Sequence, residues 1–477
     1  MLPLLFFLNF ISIFSLKQPF NLTEQRKVDL EKMIKSQLEL AKLHTIGIVI
    51  TNKAETIFQK EYIENNKTSE NSSFIIGSVS KSFTALAVLK SGVELNNTLN
   101  YFGLSEYIDD KKAKKITISE LLNHTSGLVR FGSKVDEEKK GKFSYSNYGY
   151  ALLGKIIKNN NKMEYKEFVK KYIFDELNMS STSVDYPTNI SDSYDNFFGF
   201  RTKYGGLKSE IEQRENFYVP AGFISTTLED MGKYLRYYLK NESDGYISKM
   251  TESNLSVGYK EYYGMGLYIG EKNGNKVYHH GGATNSFQSH LYIYPDLELG
   301  FFVVTNTRDS FCSQLTEELF DNIESFLLFD TYKGISNYLF IFIHFSIDII
   351  IIFIIAIPLS YLIVTIVRKI QKKKATWFNG VKGIIVFIVD IIFLILLPLT
   401  IIILLYVADA DVTYAVKNTK DILFVLFTFS SILFLTFIIK LVYFFIYNKY
   451  LKNNEKVDIK KIEENDMDYM LGENVND

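Results

Sequence analysis

The chain has 477 residues, a formal net charge of −1, 47% hydrophobic and 15% aromatic residues. That length admits one large domain or two plus an appended segment, and the near-neutral charge leaves no electrostatic case for a nucleic-acid partner. A single cysteine, Cys312, excludes an intrachain disulfide, so the fold must rest on its core.

The first fifteen residues, Met1 to Ser15, are short and apolar, and polar sequence follows from Lys17. This is the size of a signal-peptide core and too short for a comfortable membrane span. It lacks a basic leading region, so a buried first strand or an uncleaved anchor stays open. Asn-x-Ser/Thr sequons begin at Asn21, Asn66, Asn71, Asn96, Asn123, Asn178, Asn189, Asn241 and Asn254, and none falls in the C-terminal third. Their placement agrees with an exported N-terminal part and a glycoprotein.

From Thr23 to Leu43 the apolar positions Leu30, Met33, Ile34, Leu38 and Ala41 predict an amphipathic helix capped by Thr23. Two strand-like runs follow, His44 to Ile50 and Glu55 to Tyr62, joined by Thr51-Asn52-Lys53. Next comes Phe74 to Leu86, read as a turn at Gly77 opening a buried helix, with Gly92 as its stop. Ser78 then sits at a helix N-terminus, where free N–H groups favour developing negative charge. Lys81 lies one turn on, over the same face. A serine hydroxyl is a weak nucleophile at neutral pH, and an amine in a dry pocket can have its pKa lowered enough to take the proton.

Residues from about Asn97 to Tyr218 read as mostly helical and loop-like, with a helix and its end at Ile116 to Leu128. Tyr145 and Asn147 are two apart, just before the apolar helix Ala151 to Ile157, so on a turn both can face one cleft. After Pro220 to Thr227 a helix is predicted over Leu228 to Leu239. Strands return at Gly264 to Gly270, Lys276 to His280, Phe287 to Tyr294 and Leu299 to Asn306, then a helix over Gln314 to Leu328. The sheet is thus built from both ends of the domain, a helical region is inserted in its middle, and a cleft should lie between them.

Three long apolar runs follow, Tyr338 to Val367, Val381 to Val407 and Ile422 to Tyr447, each above the roughly 20 residues that cross a bilayer. The first connector holds Arg368, Lys369, Lys372, Lys373 and Lys374, the second Asp409 and Asp411. Basic residues favour the cytoplasmic side, so that connector and the tail are placed inside and the Ser78 domain outside. Asp348, with His344 before it, and Asp390 read as a polar clasp between helices in preference to a proton path.

Ser78-x-x-Lys81, Tyr145-Ser146-Asn147 and His280-Gly281-Gly282, in that order, resemble the serine β-lactamase and penicillin-binding-protein superfamily. The likeness is greatest to its class C-like branch of D-Ala-D-Ala carboxypeptidases, esterases, D-amino-acid peptidases and β-lactamase-like eukaryotic proteins, over roughly Leu30 to Leu328. It implies an α+β fold, an α/β sandwich whose antiparallel sheet is flanked by helices. It implies Ser78 as nucleophile, Tyr145 and Lys81 sharing its proton, and Asn147 orienting a substrate amide. His280 would stand where many relatives have the lysine of Lys-Thr-Gly. Gly281 and Gly282 would let substrate backbone approach, and the N–H groups of Ser78 and Ala283 would form the oxyanion hole.

A histidine near half-charged at neutral pH in place of a permanent cation argues against high affinity for β-lactams and leaves esters and short peptides open. His279 and His280 face opposite ways on a strand, so no metal and no cofactor are expected. His124 is read as structural, and Tyr148 and Tyr150 as packing residues. The resulting organisation is a signal peptide at 1–16, a hydrolase domain at 17–332, three transmembrane helices at 333–449 and a cytoplasmic tail at 450–477. Its partners would be a small-molecule or peptide substrate and the lipid bilayer. The competing reading is a catalytically silent domain of the same fold that binds a ligand and signals through the helices.

Overall fold

The computed structural model describes residues 20–334 apart from 41–42, 64–71, 110–114, 186–197, 204–205, 212–215, 244, 254, 273 and 309–312; beyond them it describes four helical positions, Ile363, Ile438, Val442 and Ile446. The signal-peptide segment, Cys312, the three apolar runs apart from those four positions, Asp348 and Asp390 included, and the tail lie outside the described residues. Among the described residues no helix is long and apolar enough to cross a membrane. The chain divides into two compact units, Met1–Phe342 and Ile343–Asp477, and every element below belongs to the first.

In chain order, helix α1 (Glu24–Leu40) precedes strands β1 (Thr45–Thr51), β2 (Thr56–Ile63) and the short β3 (Phe74–Ile75). A 3-10 turn, Gly77–Val79, leads into α2 (Ser80–Lys90). The inserted region holds α3 (Ile118–Leu122), α4 (Asn147–Asn161), α5 (Tyr165–Val169), the hairpin β4 (Phe198–Lys203) and β5 (Gly206–Ile211), and α6 (Val219–Gly222). Then come β6 (Ser225–Thr226), α7 (Leu228–Lys240), α8 (Gly245–Thr251), β7 (Ser256–Gly258), β8 (Glu261–Tyr263), β9 (Tyr268–Lys272), β10 (Asn275–Ala283), β11 (Gln288–Tyr294), β12 (Leu299–Thr305) and α9 (Ser313–Phe329).

The main sheet has the order β2-β1-β12-β11-β10-β9-β8-β7, all antiparallel, so the first two strands join strands from the far end of the domain. Strand period two divides its faces. Phe301 and Val303 pack with Leu30 and Ile34 of α1 and Leu319 and Ile323 of α9. Phe302 and Val304 face the other way, toward α2, α7 and the inserted helices. Every residue of β12 is buried, which is why its sequence is apolar throughout. Arg26 ties the terminal helices together by donating to the carbonyls of Phe326 and Leu327 at the end of α9.

Several elements depart from the sequence reading. Leu121 and Leu122 close α3 early, because His124 takes a positive φ of 57° and Gly127 one of 75°. The strand expected from Gly264 begins only at Tyr268. Gly266 has φ +78°, and a Cβ on it would stand 2.6 Å from the Lys81 carbonyl, so this stretch is a tight turn against α2. The β4–β5 hairpin was not anticipated within a stretch read as helix and loop, and α8 lies between Leu239 and Gly264, where no element was predicted.

Candidate active site

Ser78 lies inside the 3-10 turn, two residues before α2 begins at Ser80. Gly77 makes that turn possible. Its φ is +53°, and a Cβ there would fall 2.3 Å from the Ala283 nitrogen, so only glycine brings the Ser78 turn this close to β10. From the strand side, a Cβ on Gly282 would meet the Ile76 carbonyl at 2.0 Å. The Ser289 hydroxyl of β11 donates to that same carbonyl at 2.9 Å. Gly282 is therefore filled by the protein's own turn, while Gly281 has open room, with His290 atoms at 3.7 Å.

Lys81 is fully buried, at 0% exposure, within the apolar face of α2. Its amine donates to Ser78 Oγ at 3.0 Å, Asn147 Oδ1 at 2.7 Å and the Ala221 carbonyl at 2.6 Å. It also lies 4.8 Å from the Tyr145 ring centre. Burial, with the Arg130 guanidinium as a second cause, holds its pKa well below the ordinary lysine value. As a neutral amine it can donate to Asn147 and Ala221 while its lone pair accepts the Ser78 hydroxyl proton.

Tyr145 is hydrogen-bonded to Ser78, and burial raises its pKa, so the phenol keeps its proton. Ser146 behind it caps α4: its hydroxyl accepts from Gly149 N–H at 3.0 Å and donates to the Val129 carbonyl at 2.9 Å. This cap sets Tyr145 and Asn147 on either side of the helix start. Ser146 N–H donates to His124 Nδ1 at 3.1 Å, and the His124 ring backs Tyr145 with centres 4.4 Å apart. His124 thus holds the catalytic-loop backbone and the Tyr145 ring. Tyr150 donates to the Leu122 carbonyl and Tyr148 to the Tyr107 carbonyl, both as packing residues with satisfied hydroxyls.

On β10, strand β9 pairs with Asn275 to His279 and β11 with Tyr278 to Ala283. From His280 to Ala283 the β9 side has no strand partner among the described residues, leaving an edge of backbone groups beside the Ser78 turn. His280 is buried near Tyr145, with ring centres 6.3 Å apart. Its Nδ1 donates to the Gly281 carbonyl at 2.6 Å, so Nε2 is the acceptor facing the Tyr263 hydroxyl at 3.4 Å. Burial, then the Lys81 charge, push its pKa down to about 3. This corrects the expectation of a half-charged histidine: at neutral pH His280 is uncharged. His279 turns to the opposite face, with Nδ1 3.2 Å from His290 Nε2.

The profile of the family described as Beta-lactamase matches residues 30–318, more than half of the chain. The chain belongs to the beta-lactamase family. Protein flp of Staphylococcus aureus is 25% identical over 356 residues, 66% of this chain and 70% of its own. Beta-lactamase-like protein 4 of Dictyostelium discoideum is 25% identical over 366 residues, 64% of this chain and 63% of its own. Among solved structures, the octameric penicillin-binding protein homologue from Pyrococcus abyssi superposes with a TM-score of 0.52 at 24% identity, covering 63% of this chain and 77% of that one. A D-stereospecific amidohydrolase from Streptomyces gives 0.52 at 16% identity, covering 63% and 98%. At those identities the two superpositions speak for the fold alone.

Within this beta-lactamase fold, sequence reasoning did not find Ala221, Arg130 or Tyr263. Ala221 acts through its carbonyl, which every residue has. It is placed because Thr84 donates to the Pro220 carbonyl at 2.6 Å, and Ser80 accepts from Ile224 N–H at 3.1 Å. Arg130 carried a usable signal, being a cation six residues after His124 on the loop leaving α3. Tyr263 carried none among 32 tyrosines.

Proposed function

We propose that this chain is a serine hydrolase of the class C-like branch, acting through an acyl-enzyme on an ester or amide, short D-amino-acid peptides included. The observation that carries the reading is the buried Lys81 amine 3.0 Å from Ser78 Oγ. In the proposed cycle neutral Lys81 takes the Ser78 proton as Oγ attacks the substrate carbonyl. The oxyanion rests on the Ser78 and Ala283 N–H groups, which Gly77 brings side by side; losing one such donor typically costs on the order of 10²–10³ in rate. Tyr145, a neutral phenol on Ser78, gives its proton to the leaving group and is reprotonated by the Lys81 ammonium, which returns the amine to its neutral form. Asn147 orients a substrate amide, whose backbone lies along the free edge of His280 to Ala283. Water then releases the acyl group.

Because uncharged His280 supplies no cation at the strand position where many relatives have the lysine of Lys-Thr-Gly, efficient β-lactamase turnover is not part of the proposal. The anchor is. Residues 338–447 contain three runs long enough to span a bilayer, with the basic residues in the first connector, which supports a multi-pass membrane protein whose hydrolase domain is extracytoplasmic.

Intact-mass labelling tests the reading, with a fluorophosphonate and, separately, a penicillin, on the wild type and Ser78→Ala. One adduct on the wild type that is absent from Ser78→Ala is the expected result, and the reagent that reacts sorts esterase from penicillin-binding behaviour. No adduct from folded protein with either reagent turns the assignment to a silent ligand-binding domain.

A further inference from the structure

The cations around Ser78 are mostly committed. Lys81 has three acceptors on its amine, His280 is neutral, and the Arg308 guanidinium donates to the Thr284 carbonyl. Arg130 differs. It is exposed, and its guanidinium makes no ion pair among the described residues. The guanidinium carbon nevertheless lies 5.6 Å from the centre of the Tyr145 ring, whose hydroxyl is bonded to Ser78.

This position is built by the backbone. The Arg130 carbonyl accepts from Asn147 N–H at 2.9 Å and Tyr148 N–H at 3.3 Å, clamping its loop to the start of α4, which also delivers Asn147. Beside it, Phe131 and Tyr218 have ring centres 5.7 Å apart, and Phe217 and Tyr218 5.2 Å. The rim therefore sets a guanidinium with no ion-pair partner among the described residues next to an aromatic wall. Its charge reaches the catalytic amine, where it is the second cause of the lowered Lys81 pKa.

We propose that Arg130 recognises a carboxylate on the substrate, making the site selective for anionic esters or amides with an apolar segment between the carboxylate and the scissile carbonyl. The inference rests on the hydrolase reading above and names its substrate class. A guanidinium offers a planar fork of donors that matches a carboxylate in two parallel hydrogen bonds. One such cation, with the other positive groups committed, suits a single negative charge. The aromatic rings suit the apolar segment that precedes it.

The test compares mono-p-nitrophenyl glutarate with p-nitrophenyl valerate, which share a leaving group and acyl length, on the full chain in detergent for wild type, R130Q and R130E. The readout is the anionic-to-neutral ratio of kcat/KM within each protein, so losses of folded enzyme cancel. The wild type should favour the anionic ester, and R130Q should lower the ratio by about 10- to 100-fold. R130E should lower it further. A ratio within about twofold of wild type in R130Q overturns the proposal while leaving the hydrolase standing. If neither ester turns over and Ser78 takes no fluorophosphonate, the hydrolase reading fails, and the charge preference is then read by binding. Monomethyl glutarate and methyl valerate are titrated into Ser78→Ala with and without R130Q. Preference for glutarate that vanishes with R130Q sustains the role of Arg130, and equal binding in both proteins sinks it.

Discussion

Lys81 and Tyr145 both touch Ser78, and their environments push them in ways that separate their work. Burial lowers the amine's pKa and raises the phenol's, so at neutral pH the lysine gains access to its neutral form while the tyrosine stays protonated. This division favours Lys81 over Tyr145 as the acceptor of the Ser78 proton in the proposed cycle. Activity should rise with pH through the depressed Lys81 pKa and fall as pH drops below it, because the protonated amine has no lone pair to offer. Lys81→Met should lower kcat/KM by on the order of 10²–10⁴ and remove that limb from the pH profile. Tyr145→Phe should also lower kcat, by on the order of 10²–10⁴, but keep the limb. A Tyr145→Phe enzyme at wild-type rate would take the phenol out of the mechanism. A limb that survives Lys81→Met would take the amine out of its role as base.

At the scale of elements, the site is a turn pressed onto a strand, and the two glycines of β10 do different jobs. Gly282→Ala would drive a methyl into the Ile76 carbonyl, which is backbone and cannot yield, so a loss of about 1–3 kcal/mol is expected in chemical denaturation. Gly281→Ala meets only His290 atoms at ordinary contact distance, and should change stability by no more than about 0.5 kcal/mol. That methyl would point toward His290 on the sheet face away from Ser78, so KM should also stay at the wild-type value. The strands β1, β11 and β12 were readable because they are rich in apolar and β-branched residues, and each of these and β10 lies within a residue or a few of its predicted span. Ser78, Lys81, Tyr145, Asn147 and His280 were readable as an ordered set of side chains. What could not be read are features with no local pattern. Met265, Leu267 and Ile269 alternate like a strand, yet the stretch forms a turn, with Gly264 against the Met250 carbonyl and Gly266 against the Lys81 carbonyl. The charge state of His280 depends on burial by Tyr263, Tyr268 and Tyr145, which come from distant parts of the chain.

Across the whole catalytic unit, burial of neutral histidines links stability to pH. His124, His280 and His290 all have pKa values pushed below the ordinary histidine range, chiefly by burial and then by neighbouring cationic or imidazole groups: Lys81 and His280 around His124, Lys81 and His279 around His280, His279, His280 and Lys272 around His290. Well above pH 6.5 these imidazoles are neutral in both the folded and unfolded chain, and contribute no pH dependence. As pH falls below 6.5 the unfolded chain takes up protons that the folded one refuses, so stability declines, and the decline continues until the folded groups protonate. For His280, whose folded value is about 3 against an ordinary 6.5, the full effect is on the order of 5 kcal/mol by the acid end of that window. The melting temperature of the full chain in detergent should therefore be flat from this cause between pH 7 and 8 and fall steeply from about pH 6 toward pH 4. His290→Phe removes one of the three groups on the face away from Ser78, stacked on Tyr292 with ring centres 4.1 Å apart, and should make the acid limb shallower. An unchanged slope in that variant would place the linkage elsewhere, in the carboxylates of the salt bridges, whose loss on acidification has the same sign but begins nearer pH 5.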